Sequence, residues 1–584
     1  MENNTDKLSS LPELLCLFII SLLPFKDAVR TCILSKYWLH IWKNSPKIEF
    51  SENFDGNFIG RFEPFSSIKA RRSVFMKFLK LWLDFRKEGD VEKFSLKFSK
   101  PKNDHREIIE GCIAFVTQHG VKELELDFSD PFWEEEVIPN KREALFELPK
   151  LAYENKPNIE SLKLSSCSFR ENDLSNWQAL KEVTFGWMEV TLDAMTIVLS
   201  NCKMIESLVL NKCWNLSHFE IGSEALSLKR LVVDKCSFRN ALFKVSAPNL
   251  CFFKYFGKLC FFEMKNTLAI EEAHLHFYLG YDNVGTGARV LYDLVKDLYN
   301  ARVLTVCPYL IQVICTGEKI RMERDMNARH LILRMNMLRC ELRAVSFFLL
   351  SCPMLECLTF ELGSEIILPV KKREVGEGEG ERKVQKKGEK ERRALKCQCK
   401  RIYGEIVEVD YQAMWIDSDE EQDDLPLWID SDEDQDDQAM WMDNISQSTL
   451  CFIQSKVYAD HDFENYDDDD EYNIDDEDNI YDDYCTDFIN MVDNQIKGMK
   501  NVINYNCLES SLKLVEVKDF VGSKNGLVFL GYLIRYGKVL KNVSINVLKT
   551  ELEGSSNVAF YSAIEEYLMT TPRASSNLQI SMCY

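Results

Sequence analysis

The chain has 584 residues, 46% of them apolar and 11% aromatic. At roughly 150 residues per domain that length implies several domains, and the composition supplies ample core, which excludes a wholly disordered or collagen-like chain. The formal net charge of −22 is local: residues 402–496 hold 32 Asp and Glu against one base, Lys456, while the other 489 residues carry 70 Lys and Arg against 61 Asp and Glu. That remainder is mildly basic and evenly mixed, which argues against a dedicated nucleic-acid binder.

Residues 8–42 read as three short helices. Pro12 suits a first turn, with Glu13 where the positive helix end favours an acid. The following run, Leu14 to Leu23, is apolar on all sides, so it must be covered on more than one face. Pro24 ends it. The residues before the run lack a basic n-region, Pro24-Phe25-Lys26 is a poor cleavage site, and the run is far too short to span a bilayer, so neither a secretory signal nor a membrane anchor is expected. A second helix starts near Asp27 with Val29 and Ile33 at i, i+4. Ser35 is placed to cap a third, on which Trp38, Ile41 and Trp42 share a face. Three short helices cannot bury this much apolar surface among themselves. Either a partner covers the excess or the downstream domain does.

The series Leu11-Pro12, Ile19, Ser21, Leu23-Pro24, Lys26, Ala28-Val29, Thr31, Leu34-Ser35-Lys36, Trp38, Trp42 resembles the F-box of plant F-box/leucine-rich-repeat proteins of the FBD type. It departs from that pattern at Tyr37, where a basic residue is usual, and at Leu22, which is often aromatic. The resemblance implies docking onto the Skp-type adaptor of a cullin–RING (SCF) ubiquitin ligase. The residues it assigns to that contact are Leu11, Pro12, Leu15, Ile19, Leu23, Pro24, Val29, Leu34, Ser35 and Trp38.

Next, Phe75, Phe78, Trp82 and Phe85 recur at helical spacing within residues 70–88, and Phe94–Phe98 reads as a strand. A helix over 107–119 and a strand at 124–126 repeat the alternation. A period then emerges. Leu162, Val183, Leu208 and Leu231 open similar apolar segments 21, 25 and 23 residues apart, the leucine-rich-repeat period. Each repeat pairs a strand with a turn and a helical or irregular return. Cys167, Cys213 and Cys236 each fall three residues after the last apolar strand residue, where a side chain bonds turn backbone, so a structural role is expected of them. Weaker strands follow near 250–255, 303–306, 331–333 and 358–360, without an assignable register. Such repeats stack into a curved solenoid whose concave strand face, with Lys163, Thr184, Val209 and Val232 pointing outward, would bind a protein or ligand. The segments at 112–128 and 508–547 are also similar to FBD-type proteins, the latter to the FBD module itself. That module reads as strand (512–517), helix (525–536) and strand (543–547), able to extend or cap the stack.

Between these parts, residues 371–401 hold 13 basic and 6 acidic residues with four glycines; a solvated linker and a nuclear-import signal both fit. A 13-residue tandem repeat marked by Trp415, Trp428 and Trp441 follows. Asp430, Asp432 and Asp434 mimic a calcium loop, but Gln435 stands where glycine is needed and Trp441 where glutamate is. So much like charge opposes a packed core, and disorder is expected. Ser418 and Ser431, each followed by three acids, are candidate phosphorylation sites.

Phosphate-binding, nucleophile-elbow and zinc-protease motifs are absent. Cys397 and Cys399 have no partner pair, and His274 with His276 has no third ligand nearby, so no metal or cofactor is expected. The expected fold class is α/β: a three-helix F-box (6–46), a leucine-rich-repeat solenoid (68–369), a basic linker (370–401), an acidic disordered insertion (402–496) and an FBD-like unit (507–584). The expected function is a non-catalytic substrate-recognition subunit of an SCF-type ligase. Its partners would be the Skp-type adaptor, a cullin through it and an unidentified target, with neither nucleic acid nor membrane. The twenty cysteines are scattered without a framework, which fits reduced thiols and an intracellular location in nucleus, cytoplasm or both. The alternative is a non-ligase repeat scaffold with a degenerate F-box.

Overall fold

The computed structural model describes residues 8, 10–23, 25–52, 65–86, 90–130, 133, 145–152, 158–169, 177–222, 227–278, 284–314, 319–363, 505–548 and 555–584. Pro24, the basic linker, and the acidic insertion with Ser418 and Ser431 lie outside these residues. The chain divides into two compact units, one ending its main run at Arg334 and the other opening at Met335 and including the C-terminal residues.

The first unit starts with α1 (Glu13–Leu22), α2 (Phe25–Arg30) and α3 (Lys36–Lys43). The second helix begins two residues earlier than its sequence suggests. It then tightens into a 3-10 turn at Thr31–Ile33, where the Thr31 hydroxyl donates to the Ala28 carbonyl at 2.7 Å. Ser35 caps α3 by accepting from the Trp38 N–H at 3.4 Å. Cys16, Ile20, Ala28, Trp38, Ile41 and Trp42 are buried and form the small core of this part.

A parallel sheet follows directly. Its first strand, β1 (Lys47–Ser51), precedes the long helix α4 (Phe65–Phe85); neither that strand nor the helix's start at 65 is evident from the sequence pattern. Then come β2 (Lys93–Lys97), α5 (Asn103–Gln118), β3 (Glu123–Asp127), the short β4 (Phe146–Glu147), β5 (Ser161–Ser165), the short β6 (Cys167–Ser168) and β7 (Glu182–Gly186). They are followed by α6 (Leu192–Asn201), β8 (Ser207–Asn211), β9 (Phe219–Ile221), β10 (Arg230–Asp234), β11 (Leu242–Ser246), β12 (Phe252–Lys258), β13 (Phe261–Lys265) and β14 (Glu272–Tyr278). The unit closes with α7 (Val284–Asp297), β15 (Val303–Val306), α8 (Pro308–Ile314) and β16 (His330–Arg334). Strands β1, β2, β3, β5, β7, β8, β10, β12, β14, β15 and β16 pair in that order, all parallel.

Leu162, Val183, Leu208 and Leu231 stand in one row of the register, so the repeat spacing in the sequence is a row of core positions in space. Alternate strand residues point inward: Leu162 and Leu164, Val183 and Phe185, Leu208 and Leu210 are all buried. Burying each such side chain contributes about 1.5–3 kcal/mol, but only because the neighbouring strand supplies the other wall. On the return side, β9, β11 and β13 form a second parallel sheet where helices serve elsewhere. Its inward rings pack on the main sheet: Phe243 stacks on Phe219 at 4.3 Å and meets Tyr255 edge-on at 5.2 Å.

The turns that follow β5, β7, β8 and β10 share one build. Ser166, Trp187, Lys212 and Lys235 have φ of 56°, 49°, 53° and 52°, a left-handed conformation that costs a non-glycine residue roughly 1–2 kcal/mol. The cost is offset by a ladder of hydrogen bonds, in which their N–H groups donate to the carbonyls of Gly186, Asn211, Asp234 and Phe256 at 2.9, 2.9, 2.7 and 2.6 Å. Cys167, Cys213 and Cys236 each follow such a turn residue and are buried. Their thiols lie 3.5 Å from the Ser165 carbonyl, 3.3 Å from that of Phe185 and 3.6 Å from that of Asp234.

The second unit contains α9 (Arg339–Ser351), β17 (Cys357–Glu361), α10 (Asn506–Ser510), β18 (Leu514–Phe520), α11 (Lys524–Tyr536), β19 (Asn542–Val547), α12 (Ser555–Thr570) and β20 (Gln579–Cys583). Its strands pair in parallel in the order β17, β18, β19, β20. The strand–helix–strand reading of the FBD-like part holds, and α12 with β20 adds a further helix and strand to it. Helix α11 is buried on most sides, Leu527, Leu530, Leu533 and Ile534 being fully enclosed. Ser523 caps it by accepting from the Gly526 N–H at 3.3 Å.

Candidate functional site

Two surfaces of the first unit carry side chains that its core does not use. The first is on the N-terminal helices. Leu14, Phe18 and Leu22, at i, i+4 and i+8 of α1, are 80%, 60% and 67% exposed, and Ile33 and Leu34 on the 3-10 turn are 83% and 60% exposed. Isolated exposed leucines are ordinary, but a run of large apolar groups on one small helical bundle marks a binding surface. Of the residues expected to make the adaptor contact, Pro12, Leu15, Leu23 and Leu34 are exposed, while Leu11, Ile19, Val29 and Ser35 are half-buried. Trp38 is a correction. It is only 3% exposed, on the helix face it shares with the buried Ile41 and Trp42, so it holds the helices together and offers no surface. Leu14, Phe18, Leu22 and Ile33 are exposed too, outside the expected set; for the three on α1 the signal was a helix apolar on every side.

This bundle is fixed to the sheet by buried polar contacts. Tyr37, which departs from the family pattern, donates through its hydroxyl to the Leu11 carbonyl at 3.4 Å and so ties α3 to the start of α1. Arg86, just past α4, is buried and donates to the carbonyls of Lys43, Ser45 and Asp90 at 3.1, 2.8 and 3.1 Å. Burial lowers its pKa to about 10, which still leaves it charged at neutral pH.

The second surface is the outward face of the sheet. Lys163 is exposed and Thr184 and Val209 half-buried there, as an outward orientation requires. Val232 alternates with the inward Leu231 and Val233 but is only 7% exposed, since the register sets Val209 on one side of it and the long side chain of Lys254 on the other. His274 and His276 lie on this face. His274 Nε2 is 2.6 Å from Glu272 Oε1, and the His276 ring packs 4.1 Å from Phe256. Burial, then the positive charges of Arg334, Lys235 and Lys254, push the His276 pKa down to about 4. Among the described residues no group of three His, Cys, Asp or Glu side chains is placed to hold a metal ion, and no helix is long and apolar enough to cross a membrane.

A capped helical bundle with an outward apolar strip, joined to stacked parallel strand repeats, defines an F-box/leucine-rich-repeat protein. Family models agree: one for the F-box domain matches residues 8–50, one described as the At1g61320/AtMIF1 LRR domain matches 83–396, and one for FBD matches 505–545. The chain belongs to the F-box/LRR-repeat family. It is 31% identical over 383 residues to the putative F-box/LRR-repeat protein At1g56400 of Arabidopsis thaliana, covering 64% of this chain and 78% of that one. The putative F-box/LRR-repeat protein At5g54820 of the same plant is 32% identical over 366 residues, covering 61% and 76%. The FBD-associated F-box protein At1g66310 is 24% identical over 323 residues, covering 54% and 67%. Proteins of this architecture serve in general as substrate-adaptor subunits of ubiquitin ligases, their F-box engaging a Skp-type adaptor and their repeats engaging other proteins.

Proposed function

We propose that this chain is the target-recognition subunit of an SCF-type ubiquitin ligase, that Leu14, Leu15, Phe18, Leu22, Ile33 and Leu34 dock the Skp-type adaptor and through it a cullin, and that the outward strand face holds the target. The reading rests chiefly on the apolar strip, which is solvent-facing although a complete core lies beneath it. The chain's contribution is then proximity: holding target lysines near the conjugating enzyme raises their effective concentration without any catalytic group of its own. It would act within the nucleus, the cytoplasm or both.

The test is capture of purified adaptor by the full chain and by a Leu14→Ala/Phe18→Ala variant. Both side chains are exposed, so the variant should melt as the parent does. Central apolar residues of an interface typically cost 2 kcal/mol or more each on truncation, so capture should weaken at least tenfold. Undiminished capture by a folded variant would sink the docking reading.

A further inference from the structure

The outward strand face of the first unit is not uniform. Over its first strands the charges pair with one another: Lys93 Nζ is 2.6 Å from Glu49 Oε1, and Lys97 Nζ is 2.9 Å from Glu125 Oε1. From β10 onward the chemistry changes. The register sets Arg230 beside Phe252, and Phe256 beside His276. The Arg230 guanidinium lies 3.8 Å from the centre of the Phe252 ring, and Lys235 Nζ 4.8 Å from that of Phe256. The acids on these strands are already engaged, Asp234 at 3.6 Å from Lys254 and Glu272 at 2.6 Å from His274. Aromatic rings and cations are therefore presented together on the outward side, where no core residue needs them.

The size of this region selects among anionic ligands. Arg230 opens β10 and Arg334 closes β16, four strand steps away and four residues further along the register, a separation of roughly 23 Å at the usual strand spacing and rise. A small anion cannot engage both ends, whereas an extended peptide of about seven residues spans them. Rings held under cations offer flat, ordered contacts for an apolar side chain between charged ones.

Resting on the reading that the strand face holds the target, we propose that its β10–β16 part docks an extended acidic peptide segment of the target, with carboxylates on Arg230, Lys235 and Lys254 and an apolar side chain over Phe252 and Phe256. Such binding weakens steeply with salt. It also predicts a sharp contrast within one face, because Lys163 lies on the same side but outside the cationic stretch.

The experiment measures anisotropy of a fluorescent peptide of alternating Glu and Tyr, about ten residues long to exceed the span, against the full chain. Its partner probe has Gln in place of Glu. The variants are Lys235→Glu/Lys254→Glu and Lys163→Glu, each checked by thermal melting. The expected result is at least a tenfold loss for the double variant, less than twofold for Lys163→Glu, and at least tenfold weaker binding of the Gln peptide. Equal binding of the two peptides, or equal losses in the two folded variants, would overturn the proposal. Adaptor capture by the same samples separates the two readings: a parent chain that binds peptide but no adaptor sinks the ligase assignment and leaves the docking surface standing. A chain that captures adaptor and ignores the Glu peptide does the reverse.

Discussion

Lys513 and Glu356 are 157 residues apart in sequence, yet Lys513 Nζ donates to Glu356 Oε2 at 2.9 Å. The pair sits at the start of a strand register in which Leu358 faces Val515 and Phe360 faces Val517. The strand before the insertion and the first strand of the FBD part are thus neighbours in one sheet. The backbone agrees: the N–H groups of Lys513 and Leu514 both donate to the Glu356 carbonyl, at 2.9 and 3.1 Å.

This adjacency predicts that residues 402–496 are dispensable for folding. Closure free energy grows only logarithmically with loop length, so replacing this tract by about ten residues changes stability by only about 1 kcal/mol, in the favourable direction. A deletion variant should unfold cooperatively at or above the parent's melting temperature while its net charge moves from −22 to about +9. In the intact chain, an Asp/Glu-specific protease finds its densest sites among the 32 acids there. The two products should co-elute on gel filtration. Separation of the fragments, or loss of cooperativity on deletion, would show that the tract is built into the fold.

What the sequence made legible follows from which signals are local. Ser35 before an amphipathic run reads as a cap and is found capping. The repeats between Leu162 and Val233 declare themselves because strand, left-handed turn and buried cysteine recur together. After the main-sheet strands β12, β14, β15 and β16 no left-handed residue directly follows the strand among the described residues, although inward residues still alternate, which is why the register there could not be assigned. β1 was missed because Ile48 and Phe50 alone carry its alternation. The outer strands β9, β11 and β13 are stabilised by rings stacking across repeats, which no local pattern reports. The cationic aromatic face escaped for the same reason: Phe256 and His276 are neighbours only through the register, although His274 and His276 at i, i+2 hinted that both point one way.

Arg86 is the polar link between bundle and sheet. Replacing it with alanine leaves the buried carbonyl of Ser45 and the partly buried ones of Lys43 and Asp90 without the donor they now share. Each unsatisfied buried group costs about 1–3 kcal/mol, with partial recovery through water, so Arg86→Ala should destabilise the first unit by about 3 kcal/mol. Arg86→Lys keeps the charge but not the fork, and should recover less than half of that. Denaturant unfolding measures both, and a change below about 0.5 kcal/mol for the alanine variant would contradict this role.

Among the described cysteines, reactivity should follow exposure. Cys251 and Cys583 are exposed, whereas burial pushes the thiols of Cys112 and Cys507 up to about 12 and that of Cys202 up to about 11. Cys167 and Cys213 are fully enclosed, and burial raises their thiols well above the usual range. Only a thiolate alkylates readily. Iodoacetamide at pH 8 should therefore label Cys251 and Cys583 first in the native chain, and peptide mass mapping reads the order. Early labelling of Cys167 or Cys213 would mean that their turns open far more often than the ladder of backbone bonds permits.

His276 should give the first unit an acid-sensitive stability of definite sign. Its pKa falls from 6.5 to about 4 on folding, chiefly through burial and then through Arg334, Lys235 and Lys254. Above pH 6.5 the ring is neutral in both states and contributes no slope. As pH drops from 6.5 toward 4 the unfolded chain takes up a proton that the folded chain refuses, so stability declines across that window and levels off below it. The full difference corresponds to about 3 kcal/mol, and partial exposure to solvent reduces the expected loss to about 1–2 kcal/mol. His276→Gln cannot titrate and should flatten that part of the curve while leaving the acid limb below pH 4, where carboxylates protonate, unchanged. Urea midpoints taken every half pH unit test this. A parent chain whose stability rises between pH 6.5 and 4.5, or a variant with the parent's slope, would show that the ring is solvated rather than held neutral beside Phe256.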